Sequence, residues 1–190
     1  HRYSPSEINY RANVCGFKML GCDGILSASA VGSLKEELPP RHAVIPDQFI
    51  DRTRHREDTF FERGVVGHVG FADPVCPSLS DALEASAREA GLAVQRGGTY
   101  VCMEGPQFST RAESNLYRSW GADVIGMTNL TEARLAREAE LCYASLALVT
   151  DYDCWREGTQ AVSVEAVLAV LSENAAGARV AEQPVGLRDG

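Results

Sequence analysis

Nothing in these 190 residues offers a membrane-spanning helix, because no run approaches the roughly 18 apolar residues that a bilayer requires. No basic-then-apolar leader opens the sequence either. Lys and Arg are few and scattered: 26 acidic residues outweigh 18 basic ones, for a formal net charge of -8. Nucleic acid is therefore not an expected partner, although a few local donors could still hold a small anion. The six cysteines, at positions 15, 22, 76, 102, 142 and 154, form no C-x-x-C pair. They read as reduced core residues, and a soluble cytoplasmic protein is the expectation. Metal-ligand spacing, a G-x-x-x-x-G-K loop and a Ser/His/Asp order are all lacking, and His1, His42, His55 and His68 are scattered. Neither a metal nor a resident cofactor is expected.

What is present suits one compact domain over residues 1–190, with 45% hydrophobic residues and no internal repeat. Ile8, Ala12, Cys15 and Met19 recur at helical spacing before Gly21, predicting an amphipathic helix from Ile8 to Leu20. Residues 24–32 read as a buried strand opening into a tight loop. Ala43 to Ile50 reads as a second strand, with Pro46 marking an edge or a bulge. Residues 52–76 lack any period and predict a long excursion of the functional kind. Helices follow at Ser78–Ala90 and Thr110–Trp120, and strands at Leu92–Arg96, Thr99–Met103, Ala122–Met127 and Cys142–Val149. Asn129 with Glu132 suggests a capping box for a helix running to Ala139. Val164, Val167, Leu168 and Leu171 share one helical face after Ser163, and a polar tail begins at about residue 179. Strands alternating with helices call for a layered α/β domain.

In open α/β sheets ligands lie beyond the carboxyl ends of strands, and four stretches put small or polar residues there. Ser29-Ala30-Val31-Gly32-Ser33 would let amides and hydroxyls approach an anion, or is an ordinary strand-to-loop turn. Residues 103–111 offer Phe108 as a stacking face, or else a core aromatic beside a helix cap at Ser109 or Thr110. In Gly126-Met127-Thr128-Asn129 the methionine is a sugar platform or core filling. Last, the apolar strand 144–149 runs into Thr150-Asp151-Tyr152-Asp153, with two carboxylates two residues apart. They are either solvated turn residues or a partly buried pair, of which one member would keep a proton toward neutrality.

These four stretches occur together and in order, and over Ile8-Asn9-Tyr10-Arg11-Ala12-Asn13, Ser29 to Glu37, residues 47–53, Glu104 to Glu113, Trp120 to Thr128 and Cys142 to Glu157 the sequence resembles the methylthioadenosine phosphorylase branch of the nucleoside phosphorylase family. The similarity runs to about Ala178. The resemblance implies a three-layer phosphorylase/hydrolase-like α/β fold with a central mixed sheet, and a homotrimer with sites near subunit boundaries. It implies phosphorolysis of S-methyl-5'-thioadenosine, with inorganic phosphate as co-substrate and no metal. Ser29 and Thr128 match phosphate-contacting positions, Ala30 lines the site, and Phe108 stacks on the purine. Ile125 and Met127 match residues along base and ribose. Asp151 matches the group at purine N7, and Asp153 supports it while accepting from the 6-amino group. Val164 and Val167 match the wall of the 5'-alkylthio pocket, and His68 a histidine lent by a neighbouring subunit. The same resemblance calls for a first strand with a glycine-rich phosphate loop and Arg-His pair, and for a closing helix. The 190 residues hold none of these, so the domain is expected to be N- and C-terminally incomplete. Alternatives are a phosphorylase for methylthioinosine or 6-oxopurine nucleosides, a hydrolytic nucleosidase, and a non-catalytic nucleoside-binding fragment.

Overall fold

The computed structural model describes residues 2–156 and 158. The helix expected over residues 163–171, with Val164 and Val167, and the tail from about 179 lie outside the described residues. Seven strands form one mixed sheet in the order β3-β5-β6-β1-β7-β2-β4. They are β1 (Gly24–Ser33), β2 (His42–Ile45), β3 (Gln48–Arg52), β4 (Ala93–Arg96), β5 (Thr99–Met103), β6 (Val124–Gly126) and β7 (Cys142–Asp151). The helices are α1 (Tyr10–Met19), α2 (Pro77–Glu89), α3 (Arg111–Ser119) and α4 (Asn129–Glu138). No described helix is long and apolar enough to cross a membrane.

Chain connectivity forces the sheet to curl. Only Pro46 and Asp47 separate β2 from β3, a reach of about 11 Å from Ile45 to Gln48. Yet β3 is one edge of the sheet, and β2 lies next to the other edge strand, β4. Only Gly97 and Gly98 join β4 to β5, making a second crossing of the same kind. The two corners are tied together: the Gly97 amide donates to the Ile45 carbonyl (2.9 Å), the Asp47 amide to the Gly98 carbonyl (3.1 Å), and the Gly98 amide to the Asp47 carboxylate (3.1 Å). The single strand expected from Ala43 to Ile50 is thus two strands broken at Pro46, where the missing N–H of proline suits a corner.

Alternation along the strands sorts the core into two sides. Tyr143, Ala147 and Val149 of β7 join Ile25 and Val31 of β1 in clusters shared with α1 and α4. Ala144, Leu146 and Leu148 point the other way onto Leu83 and Ala87 of α2, while Val101 and Ile125 pack with Tyr117 of α3. This is the three-layer α/β arrangement expected from the sequence.

Three local readings change. Helix α1 starts at Tyr10, after a 3-10 turn at Pro5–Glu7, and buries Tyr10 and Val14 rather than the stripe through Ala12, Cys15 and Met19; Met19 is 82% exposed. An aromatic and a β-branched residue four apart won the contact with α4. The N-cap of α4 is Thr128, not Asn129, and Glu132 makes no capping box: its carboxylate turns inward to accept from Ser27 (2.8 Å) and Tyr143 (2.7 Å). Of the six cysteines only Cys102 is buried, while Cys15 and Cys142 are exposed. A single apolar run covers both faces of a strand or helix end, so it does not tell which face is inside.

The α1 result is testable by urea denaturation. Val14→Ala should cost about 1–3 kcal/mol of stability, and Met19→Ala less than about 0.5 kcal/mol; equal losses would mean that the helix presents its other face to the core.

Candidate active site

The site begins where two strands part. β1 pairs with β6 only through Gly32 with Ile125 and Ser33 with Val124, antiparallel. Beyond Gly126 the chain turns into Met127, Thr128 and α4, which leaves the middle of β1 without a strand neighbour on that side. On the other side β1 is held by β7 from Gly24 through Gly32, in parallel, with a bulge that pairs Gly32 to Asp151 instead of Thr150. Asp151 therefore ends β7 beside the opening.

Gly32 is the contact point of the assembly. A Cβ placed there would lie 3.1 Å from Asp151 Oδ1, 3.2 Å from the Asp153 Cβ and 3.2 Å from Ile125 Cγ2. Asp153 takes a left-handed φ of 53°, a conformation aspartate tolerates better than most residues. Its amide donates to Asp151 Oδ1 (2.7 Å), so the second aspartate braces the first. Asp151 Oδ2 lies 2.7 Å from the Thr150 hydroxyl, which also lies 3.2 Å from the Val31 carbonyl. The following turn is pinned by the Trp155 indole N–H donating to the Ser33 carbonyl (2.8 Å) and by the Arg118 guanidinium 3.4 Å above the Trp155 ring.

Both carboxyls are held above the usual aspartate range. For Asp151 the chief cause is burial, and the negative charge of Asp153 adds to it; the Thr150 hydroxyl and the Asp153 amide work against the rise. Burial also leads at Asp153, opposed mainly by the Ser114 hydroxyl, the Cys154 amide and the Ser109 hydroxyl, with Glu113 pushing upward. The pair is not a set of solvated turn aspartates: Asp153 is only 5% exposed.

The other stretches close on this point. The Cys154 thiol donates to the Ser109 carbonyl (3.2 Å), which draws the loop before α3 toward the aspartates. Thr110 and Glu113 then cap α3 reciprocally. Met127 Sδ would lie 2.6 Å from a Cβ at Gly105, whose φ is +66°, so the glycine makes room for the thioether. Phe108 is 38% exposed, which removes the core reading and leaves its ring open. Ile125 is 3% exposed and packs among Leu34, Val101 and Tyr117, beside the aspartates but inside the core. Ser29 lies on the α4 side of β1, next to Tyr100, which also neighbours the Thr128 main chain. Ala30 alternates to the other side, so only its main chain is available to the opening. No described hydrogen bond joins His68 to this group; it is exposed on the long loop near Val65, Val66 and Val69. Val164 and Val167 lie outside the described residues.

Sequence reasoning missed Tyr100, Thr150, Ser114 and Glu132. Tyr100 sits in an apolar strand and Ser114 in a helix, where nothing local distinguishes a polar group facing a cleft from one filling a core.

A raised carboxyl pair, an exposed aromatic and a serine beside a helix N-terminus suit a polar, planar ligand together with an anion. Residues 1–182 match the family described as the phosphorylase superfamily. The chain belongs to the phosphorylase superfamily. It is 63% identical over 180 residues to S-methyl-5'-thioadenosine phosphorylase of Geobacter sulfurreducens, covering 94% of this chain and 63% of that protein. To the protein of the same name from Koribacter versatilis it is 62% identical, covering 92% and 60%. Among solved structures, a methylthioadenosine phosphorylase from an antarctic soil metagenomic library superposes with a TM-score of 0.88 at 50% identity, covering 97% of this chain and 69% of that one. Methylthioadenosine phosphorylase from Schistosoma mansoni in complex with adenine gives 0.91 at 38% identity, covering 95% and 71%. This phosphorylase-superfamily chain thus spans about three-fifths of the length of the curated relatives it matches.

The crowding at Gly32 predicts a coupled loss. Gly32→Ala should destabilise the fold by about 1–3 kcal/mol, and adding Asp151→Ala, which removes the nearest atom, should recover part of it. Strictly additive losses in denaturant titrations would show that the carboxylates do not set the glycine.

Proposed function

We propose that the protein carries out phosphorolysis of S-methyl-5'-thioadenosine, giving adenine and 5-methylthioribose 1-phosphate. The observation that carries the reading is the Asp151–Asp153 pair, in which burial holds Asp151 toward its protonated form at the mouth of the β1/β6 opening while Asp153 braces it. The identity to S-methyl-5'-thioadenosine phosphorylases supports the choice of substrate.

The residue types fit the chemistry. Breaking the bond between the purine nitrogen and C1' leaves electron density on the base, and a proton delivered to N7 lets the base depart neutral. A protonated Asp151 supplies that proton and ends as the carboxylate. Asp153 braces it through the 2.7 Å amide contact and offers an acceptor to a 6-amino group. A 6-oxo group would present an acceptor to an acceptor, which disfavours 6-oxopurines. A phosphate oxygen forms the new bond to C1' from the face opposite the departing base. In this proposal Ser29 and Thr128 hold that phosphate, the Ala30 main chain lines the site, Phe108 stacks on the purine and Met127 lies under the ribose. Ile125 backs the base from within the core. Fixed hydroxyl and amide donors lower the barrier chiefly by needing no reorganisation as charge moves.

The remaining parts of the proposal rest chiefly on the resemblance. Val164 and Val167 form part of the alkylthio pocket, His68 reaches it from a neighbouring subunit of a homotrimer, and the protein works in the cytoplasm. The exposed position of His68 on the loop between β3 and α2 supports a role toward another chain.

An assay of adenine release with and without inorganic phosphate tests the reaction. Release should require phosphate and yield the sugar 1-phosphate in equal amount. Release at an unchanged rate in phosphate-free buffer would make the protein a hydrolase and sink the proposal; full activity in a sedimenting monomer would remove the shared pocket.

A further inference from the structure

Directly behind Ser29 lies a side chain to which nothing so far gives a task. Tyr100, on β5, is 0% exposed, yet its hydroxyl and the Ser29 hydroxyl are both buried without a completed hydrogen bond. The two groups are neighbours, and the Thr128 amide faces the same phenol oxygen. The ring presses its hydroxyl against the main chain of Gly126, where a Cβ would collide with the hydroxyl oxygen and the ring carbon that bears it. A buried hydroxyl left unpaired costs on the order of 1–3 kcal/mol, so two of them together, at the edge of an opening, are not core filling.

The surrounding groups narrow the role further. On the same side of the sheet other buried polar side chains have partners, although the Nε of Arg56, which bonds to Tyr10 through another nitrogen, makes no hydrogen bond. Ser27 and Tyr143 donate to Glu132, and Asn129 donates to Ser145. Among the described residues Tyr100 and Ser29 are the buried hydroxyls on that side without a partner. Burial of the ring disfavours a phenolate, and the nearby Cys102 and Glu132 add to this, so the Tyr100 proton stays in place as a donor.

We infer that Tyr100 is a positioning residue for the anion, fixing the direction in which the Ser29 hydroxyl donates. The inference rests on the phosphorolysis reading above. With the Thr128 amide donating to the phenol oxygen, the phenol proton is directed at Ser29 Oγ. Occupying that oxygen as an acceptor turns the serine's own proton toward the opening. The result is a polarised relay, amide to phenol to serine to anion, in which each bond strengthens the next. A relay that ends in a donor suits the oxygens of an inorganic phosphate and offers nothing to the purine. Tyr100 touches no reacting atom in this scheme; it acts through Ser29.

The test separates phosphate from nucleoside. Tyr100→Phe keeps the ring and removes the donor, and it should raise the KM for inorganic phosphate about tenfold while the KM for the nucleoside changes less than about twofold. Ser29→Ala should raise the phosphate KM at least as far, and the double variant Ser29→Ala/Tyr100→Phe should match Ser29→Ala alone. The double variant also deletes both unpaired hydroxyls together, so it guards against a single variant that fails to fold. An unchanged phosphate KM in Tyr100→Phe, an equal rise in both KM values, or a double variant clearly worse than Ser29→Ala would each overturn the inference. A parental protein that releases adenine without phosphate would instead overturn the functional reading, leaving the two failures distinguishable.

Discussion

The parallel ladder between β1 and β7 is the constraint on which the rest of the site depends. Running from Gly24 with Cys142 to Gly32 with Asp151, it joins the two longest strands in the middle of the sheet and fixes which side chains face α4. A slip of one residue anywhere along it would exchange Ser27 and Ser29 for Leu26 and Ala28 on that side. Its single irregularity, between Val31 and Gly32, falls at the last pair, where a bulge moves Asp151 into the position that Thr150 would otherwise hold. Register thus delivers both halves of the site at once: hydroxyls from β1 and carboxyls from β7.

The site is held at a cost to stability. Burial lifts both aspartates above the usual range, so their contribution to folding is complete at low pH, where both folded and unfolded chains are protonated, and is lost as pH rises through the raised folded values. Around neutrality the pair therefore opposes folding. The compensation comes from the surrounding anchors, namely the Asp153 amide on Asp151, Trp155 on Ser33 and the apolar clusters on both sides of β7. Salt bridges of the long loop, such as Arg11 with Glu57 and Glu62 and Arg134 with Asp58, lie at or near the surface and add little individually.

Much of this was legible in the sequence, because most elements carry their own punctuation. Helical spacing located α2 within Ser78–Ala90 and α3 within Thr110–Trp120, and the apolar run from residue 142 located β7. The aspartate pair stood out because it follows that run directly. Illegible were the features set by pairing between distant segments. Pro46 signalled an edge or a bulge but not that the strand breaks and the chain crosses to the far edge of the sheet there, since curling depends on the order of all seven strands. Glu132 satisfied a capping pattern and was claimed instead by Ser27 and Tyr143, a tertiary demand that outweighs a local one. Tyr100 read as one more core aromatic, because the partner that gives it meaning, Ser29, is far away in the chain and two strands away in the sheet.

Burial holds Asp151 toward its protonated state, and its own titration measures this directly, followed by the carboxyl carbon signal of isotope-labelled aspartate and assigned through Asp151→Asn. The midpoint should lie above the ordinary aspartate value of about 3.9, and lower in Asp153→Asn, where the neighbouring negative charge is gone. A midpoint at or below the ordinary value in the parental protein, or one that rises when Asp153 is neutralised, would contradict it.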